Sequence, residues 1–153
     1  VLFRSDGSLS QAVVRVDAVT PGLFSADATG AGYAAAVLLR LKADGTQLFE
    51  SIARFDTTQN KFVPVPIDFG AASDSLFIVL YGTGLRGRSA LSAVNLKIGG
   101  ADMEVLYAGS QGLLTGLDQV NGRLPRSLAG RGDVDAVLTV DGKTSNTVRL
   151  NFK

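Results

Sequence analysis

Residues 99–125 read GGADMEVLYAGSQGLLTGLDQVNGRLP. The paired glycines at 99–100 sit between two apolar–polar alternating runs, and a two-residue hairpin needs positive φ at both central positions, which glycine adopts freely. Residues 94–98 and 101–107 are therefore expected to form a strand pair, the second strand being a core strand ending at Tyr107. Residues 109–116 read as a glycine-punctuated loop. Residues 117–124 read as a short strand that stops at Pro125, because proline has no N–H to give to a ladder. The stretch also carries the most site-like side chains of the chain: Tyr107, Asp118, Gln119 and Asn121. A carboxylate with two amides can present a polar surface to a sugar or a peptide, and the same groups can cap local backbone N–H and C=O groups.

The pattern repeats on both sides. Residues 134–140 and 144–152 alternate around Asp141-Gly142, and residues 33–42 and 46–55 are two runs around Asp44-Gly45. Aspartate followed by glycine between two such runs signals a hairpin. Residues 76–81, LFIVLY, are apolar throughout and are expected as the central core strand. Residues 61–67 contain two prolines and are expected at an edge. Residues 9–19 alternate in their second half, with Val14, Val16 and Ala18 against Arg15 and Asp17, and read as a half-buried strand ended by Thr20-Pro21-Gly22. Leu23 and Phe24 are expected to tuck under one end. Short strands joined by tight turns, with no convincing helix, predict an all-β fold: an immunoglobulin-like β-sandwich of short antiparallel strands with hairpins at Asp44-Gly45, Gly99-Gly100 and Asp141-Gly142.

Composition narrows the chemistry. The chain has 153 residues, 46% of them hydrophobic, and a net charge of +1. That suits a globular domain with a real core and gives no electrostatic reason to expect nucleic acid as a partner. No run approaches the roughly 20 apolar residues of a membrane-spanning helix, so membrane insertion is not expected. Cysteine and histidine are both absent. Thiol nucleophiles, thiolate metal sites and the usual Ser-His-Asp triad are thereby removed, and neither a cofactor, a metal nor an enzyme activity is expected. Asp133 and Asp135 are too few, and too irregularly spaced, for a calcium loop.

Two short motifs carry a functional reading and a plain one. Residues 82–87, GTGLRG, match the G-x-G-x-x-G of dinucleotide sites, which requires a following helix in a crossover between parallel strands. Too few residues separate them from the next strand for such a crossover, so a glycine-rich turn is expected. Arg131-Gly132-Asp133 matches an adhesion tripeptide, and equally a turn before the strand at 134.

The N-terminal end has its own reading. Residues 1–5, VLFRS, look like a translated sequencing-adapter remnant, which would be non-native. Residues 6–13 read D-G-x-x-S-Q-x-V and echo residues 141–148, D-G-x-x-S-N-x-V. Residues 6–19 are accordingly expected either as the closing strand of an upstream module or as the first strand of this one, with residues 20–75 forming a first β half and residues 76–153 a second.

An ordered set of motifs carries a resemblance: TPGLF at 20–24, LYGTGL at 80–85, IGG at 98–100, VLYAG at 105–109, GLDQVN at 116–121, LP at 124–125 and DGKTSN at 141–146. Together they resemble the uncharacterised Solibacter-type C-terminal domain family of secreted bacterial proteins, over about residues 10–152. Residues 76–152 are also similar to IPT/TIG immunoglobulin-like domains. The resemblance implies a sandwich at the C-terminus of a larger extracellular or cell-surface protein, and it implies no activity. The expected function is a non-catalytic structural or interaction module whose partners are upstream domains of the same chain, a glycan or another protein. A carbohydrate- or peptide-binding module using loops 82–88 and 109–121, with Tyr107, Asp118, Gln119 and Asn121, is the alternative, and an enzyme is the last.

Overall fold

The computed structural model describes residues 2–3, 6–7, 9–10, 13 and 16–153, with the backbone alone for 2–3 and 9–10. The chain is an all-β sandwich of short antiparallel strands. Among the described residues fourteen strands occur in order: β1 (Leu2–Phe3), β2 (Leu9–Ser10), β3 (Gly22–Leu23), β4 (Ala36–Leu41), β5 (Gln47–Ser51), β6 (Ala53–Asp56), β7 (Lys61–Pro64), β8 (Ser75–Thr83), β9 (Val94–Ile98), β10 (Ala101–Ser110), β11 (Asp118–Leu124), β12 (Gly132–Val140), β13 (Lys143–Thr144) and β14 (Val148–Phe152). Among the described residues no helix is long and apolar enough to cross a membrane.

Two sheets are joined by β10. Its first residues, Ala101 to Met103, pair with β9, while Glu104 to Ser110 pair with β11. One sheet therefore runs β5–β4–β8–β11–β10, with β3 added at the end of β8. The other runs β10–β9–β12, with β13 and β14 both on the far side of β12. Strands from residues 20–75 and from residues 76–153 thus share one sheet and one core. At the opposite edge, single bridges from Tyr33 to Arg149 and from Ile67 to Phe152 cover the outer side of β14.

Period-2 burial builds the core. Leu76, Ile78 and Leu80 of β8 face Val120 and Leu124 of β11, and Leu96 and Ile98 of β9 meet Leu138, Val140, Val148, Leu150 and Phe152. Alternate residues point to one face of a strand, so these inward sets leave their neighbours outside. Gly122 stands in the inward row of β11, where a Cβ would lie 2.8 Å from Leu96 Cδ2. Its missing side chain is the room that Leu96 fills.

The expected hairpins are present. Gly99 (φ 58°) with Gly100 (φ 80°), and Asp141 (φ 48°) with Gly142 (φ 78°), make two-residue turns with both positions left-handed. At Asp44-Gly45 only Gly45 is left-handed, and the loop is longer, with Leu41 opposite Gln47. The Asp44 carboxylate caps the Thr46 N–H at 2.9 Å.

Several expectations are corrected. The run at 46–55 is two strands, because the chain turns at buried Ile52 and β6 leaves the main sheet to pair with β7 alone. β7 is the expected proline-bearing edge strand. β10 does not end at Tyr107. A bulge at Leu106 inserts one extra residue, so Tyr107 points outward and Ala108 resumes the core. The segment at 144–152 breaks after Thr144: the Ser145 hydroxyl accepts the Leu138 N–H at 3.1 Å, standing in for a strand carbonyl. Residues 16–19 form no strand, and Val16 is exposed. Residues 1, 4, 5, 8, 11, 12, 14 and 15, which hold much of the remnant reading and of the expected strand at 9–19, lie outside the described residues. Leu23 is buried as expected, whereas Phe24 is 42% exposed.

Candidate functional site

Loops 82–88 and 109–121 come together at one end of the sandwich, and their polar groups face each other. Asp118 opens β11 opposite Gly82 and is 1% exposed. One of its oxygens accepts the buried Leu85 N–H at 2.9 Å, and the other accepts Arg86 Nε at 2.5 Å. Arg86 also donates to Leu117 O at 2.9 Å. The carboxylate thus holds the 82–88 loop by its backbone and by a cation. Gln119 and Asn121 lie two residues apart on the outer, half-buried face of β11 and bond to each other at 3.2 Å. Tyr107 donates its hydroxyl to Ser110 O at 2.6 Å, across its own strand end. The structure therefore brings Gln119 and Asn121 together, turns Asp118 inward beneath them, and ties Tyr107 to its own backbone.

The glycines at 82, 84 and 87 have one shared reason. A Cβ on Gly82 would collide with the carbonyl oxygen of Gly22, on Gly84 with that of Thr20, and on Gly87 with that of Ala18. Successive outward carbonyls of residues 18–22 lie in the row left open by three absent side chains. Thr20 N–H donates to Gly84 O at 3.1 Å, and Gly22 and Leu23 pair with Thr83 and Gly82. Val19 and Pro21 are buried. The G-x-G-x-x-G pattern is a backbone seat for the incoming chain.

Asn146 locks the same segment from the other sheet. Its oxygen accepts the Leu23 N–H at 2.8 Å, and its amide donates to Leu23 O at 2.8 Å and Gly30 O at 2.5 Å. A single amide plays the part of a strand neighbour. Lys143 pairs with Asp17 at 2.5 Å further up the segment. The adhesion-like tripeptide is likewise engaged: Arg131 donates to Gly99 O at 2.9 Å, and Asp133 accepts from Tyr33 Oη and from Asn151 Nδ2.

A second region was not anticipated. Between the β6–β7 hairpin and the bridge of Tyr33 onto β14 lies an open groove of about 770 Å³. Phe55 and Phe62, in edge-to-face contact at 5.4 Å, form one wall, and Phe55 is 48% exposed. Tyr33 and Arg149 form the other, the guanidinium lying 5.2 Å from the ring centre. Burial, and then the hydrogen bond to Asp133, raise the Tyr33 phenol above its ordinary value of 10.0, which keeps it protonated. Gln59, Asn60 and Lys61 crown the turn between the two hairpin strands, and Asp27 stands across from them. Hydrogen bonds from Ser25 and then Thr29 hold the Asp27 carboxyl below its ordinary 3.8, all through one oxygen. The aromatic content of residues 55–62 was the available signal. Its pairing with Tyr33 and Arg149 depends on β14 reaching across the sandwich edge. No family model, no curated protein and no solved structure matches the chain.

Proposed function

We propose that this chain is a non-catalytic structural and interaction module of a larger secreted or cell-surface protein, a sandwich that fixes the direction of the chain entering it. The observation that carries this reading is the glycine seat at 82, 84 and 87, which receives the carbonyls of Gly22, Thr20 and Ala18. A connecting segment is ordinarily solvated and free to vary its direction. Here it is held by backbone bonds, by Asn146 and by the Lys143–Asp17 pair. Whatever precedes residue 17 then leaves the sandwich along one line.

The echo between residues 6–13 and 141–148 supports a tandem arrangement of such modules, as does the motif resemblance. Gly7, in the echoed Asp-Gly pair, takes φ 77° against 78° for Gly142. In this reading the immediate partner is the preceding module of the same protein.

The test is a tandem of two copies of residues 6–153, followed by ¹⁵N relaxation. Order parameters over residues 17–23 of the second copy are expected near 0.85, the value of a rigid backbone. Gly84→Ala, which drives a Cβ into Thr20 O, is expected to release the segment. Values below about 0.6 in the unaltered tandem would overturn the proposal.

A further inference from the structure

The groove between the β6–β7 hairpin and β14 carries a second inference, which stands independently of the seated linker. We infer that it is a binding site for an acidic oligosaccharide, a chain of sugar rings bearing carboxylates. Four features of the groove converge on that class.

The walls are aromatic. Phe55, half exposed, offers a flat apolar face, Tyr33 lines the opposite wall with Arg149 over its ring, and sugar rings present apolar C–H faces of matching shape. The rim is polar: Gln59, Asn60 and the unused oxygen of Asp27 supply donors and acceptors of the kinds that meet ring hydroxyls. Two cations, Arg149 and Lys61, line the groove against the single carboxylate of Asp27. Among the described residues neither Arg149 nor Lys61 takes part in an ion pair, although six other basic side chains do. Arg149 lies over Tyr33 with its donor fork in the groove wall, and a guanidinium fork matches a carboxylate in two bonds.

The fourth observation separates a sugar from a peptide. An extended peptide would bind by adding a strand to an open edge, and the edge here is β7. Pro64 and Pro66 remove backbone donors from that segment, which breaks the ladder such a strand needs. Recognition must come from side chains, and these are of the kinds that hold sugars.

The experiment is an NMR titration of the full chain with tetragalacturonate, with neutral cellotetraose and a tetraglutamate peptide as comparison probes. Saturable shifts confined to residues 27–33, 55–63 and 149 are expected for tetragalacturonate. Arg149→Gln, which keeps the stem and removes the charge, should weaken binding about tenfold or more, as the loss of a charge-assisted pair does. Phe55→Ala should weaken it comparably. Asn60→Gly serves as the variant that cannot fail by unfolding: Asn60 sits at φ 50°, where glycine is at ease, so binding should fall while the melting temperature holds or rises. The inference is overturned if no saturable shift occurs by about 10 mM, a limit weaker than any useful site. It is overturned equally if Arg149→Gln leaves the affinity unchanged, or if tetraglutamate or cellotetraose binds as well as the uronate.

Discussion

Replacing Asp118 distinguishes a carboxylate that holds the fold from one that waits for a ligand. In Asp118→Ala, the Leu85 N–H keeps its burial and loses its acceptor, which costs about 1–3 kcal/mol. The partner cation behaves differently. The Arg86 side chain is 45% exposed, so it can return to water, and its lost ion pair adds no more than about 1 kcal/mol. The total expected for Asp118→Ala is about 1–4 kcal/mol, which for a chain of this size lowers the melting temperature by ~2–16 °C. Asp118→Asn keeps an oxygen for Leu85 and loses only the charge toward Arg86, so it should cost about 1 kcal/mol. Arg86→Ala should cost more, about 3–5 kcal/mol, because it leaves the buried Asp118 carboxylate without its cation, and the double variant Asp118→Asn/Arg86→Ala should cost less than the sum. Urea denaturation followed by intrinsic tyrosine fluorescence measures all four. If Asp118→Ala falls within about 0.5 kcal/mol of the parent, or if Asn is as damaging as Ala, the capping role assigned to this carboxylate is wrong.

Two further outcomes are expected. Gly122→Val should destabilise the sandwich by about 1–3 kcal/mol, because its Cβ would press on Leu96, and adding Leu96→Ala should cost less than Leu96→Ala costs alone; thermal denaturation of the three variants checks both signs. Stability should fall as the pH drops below about 3.8: Asp27, Asp44, Asp56, Asp68, Asp102 and Asp141 all have lowered values, held down chiefly by hydrogen bonds, so their contribution is complete above the ordinary value and is lost as pH falls through the lowered ones. Denaturation midpoints at pH 7, 5, 3 and 2 would contradict this if they stayed level down to the lowest pH.

The hairpins and the central strand were legible because their signals are local. Positive φ at Gly99-Gly100 and at Asp141-Gly142 is a property of two adjacent residues, and the apolar run of β8 needs only its own composition. What depends on partners distant in sequence was not legible. The extra residue at Leu106, which turns Tyr107 out of the core, looks like any other position of an alternating strand. Gly122 was read only as part of the short strand at 117–124, and nothing local shows that Leu96 fills the place of its side chain. The glycines of 82–87 carry a motif with a familiar ligand, yet their neighbours are the carbonyls of residues 18–22. Asp118 was read as a group that could tie down backbone or meet a ligand; its bond to the Leu85 N–H is of the first kind, and Arg86, its second partner, was not foreseen. The aromatic groove escaped altogether, since Tyr33 and Phe55 are brought to Arg149 by the strand crossing at the sandwich edge.

The division of β10 between two sheets has a consequence for how the molecule comes apart. Neither sheet owns a complete set of strands without it, so neither can open while the other stays closed. Amides of β9 and β11, on opposite faces of the core, should therefore exchange with deuterium through the same global event and with a common opening free energy. The sheet that β10 completes also places β8 between β4 and β11, partners recruited from well before and well after it in the chain. Such pairing requires long loops to close before any ladder stabilises them, and assembly on the timescale of milliseconds to seconds follows from that order of events.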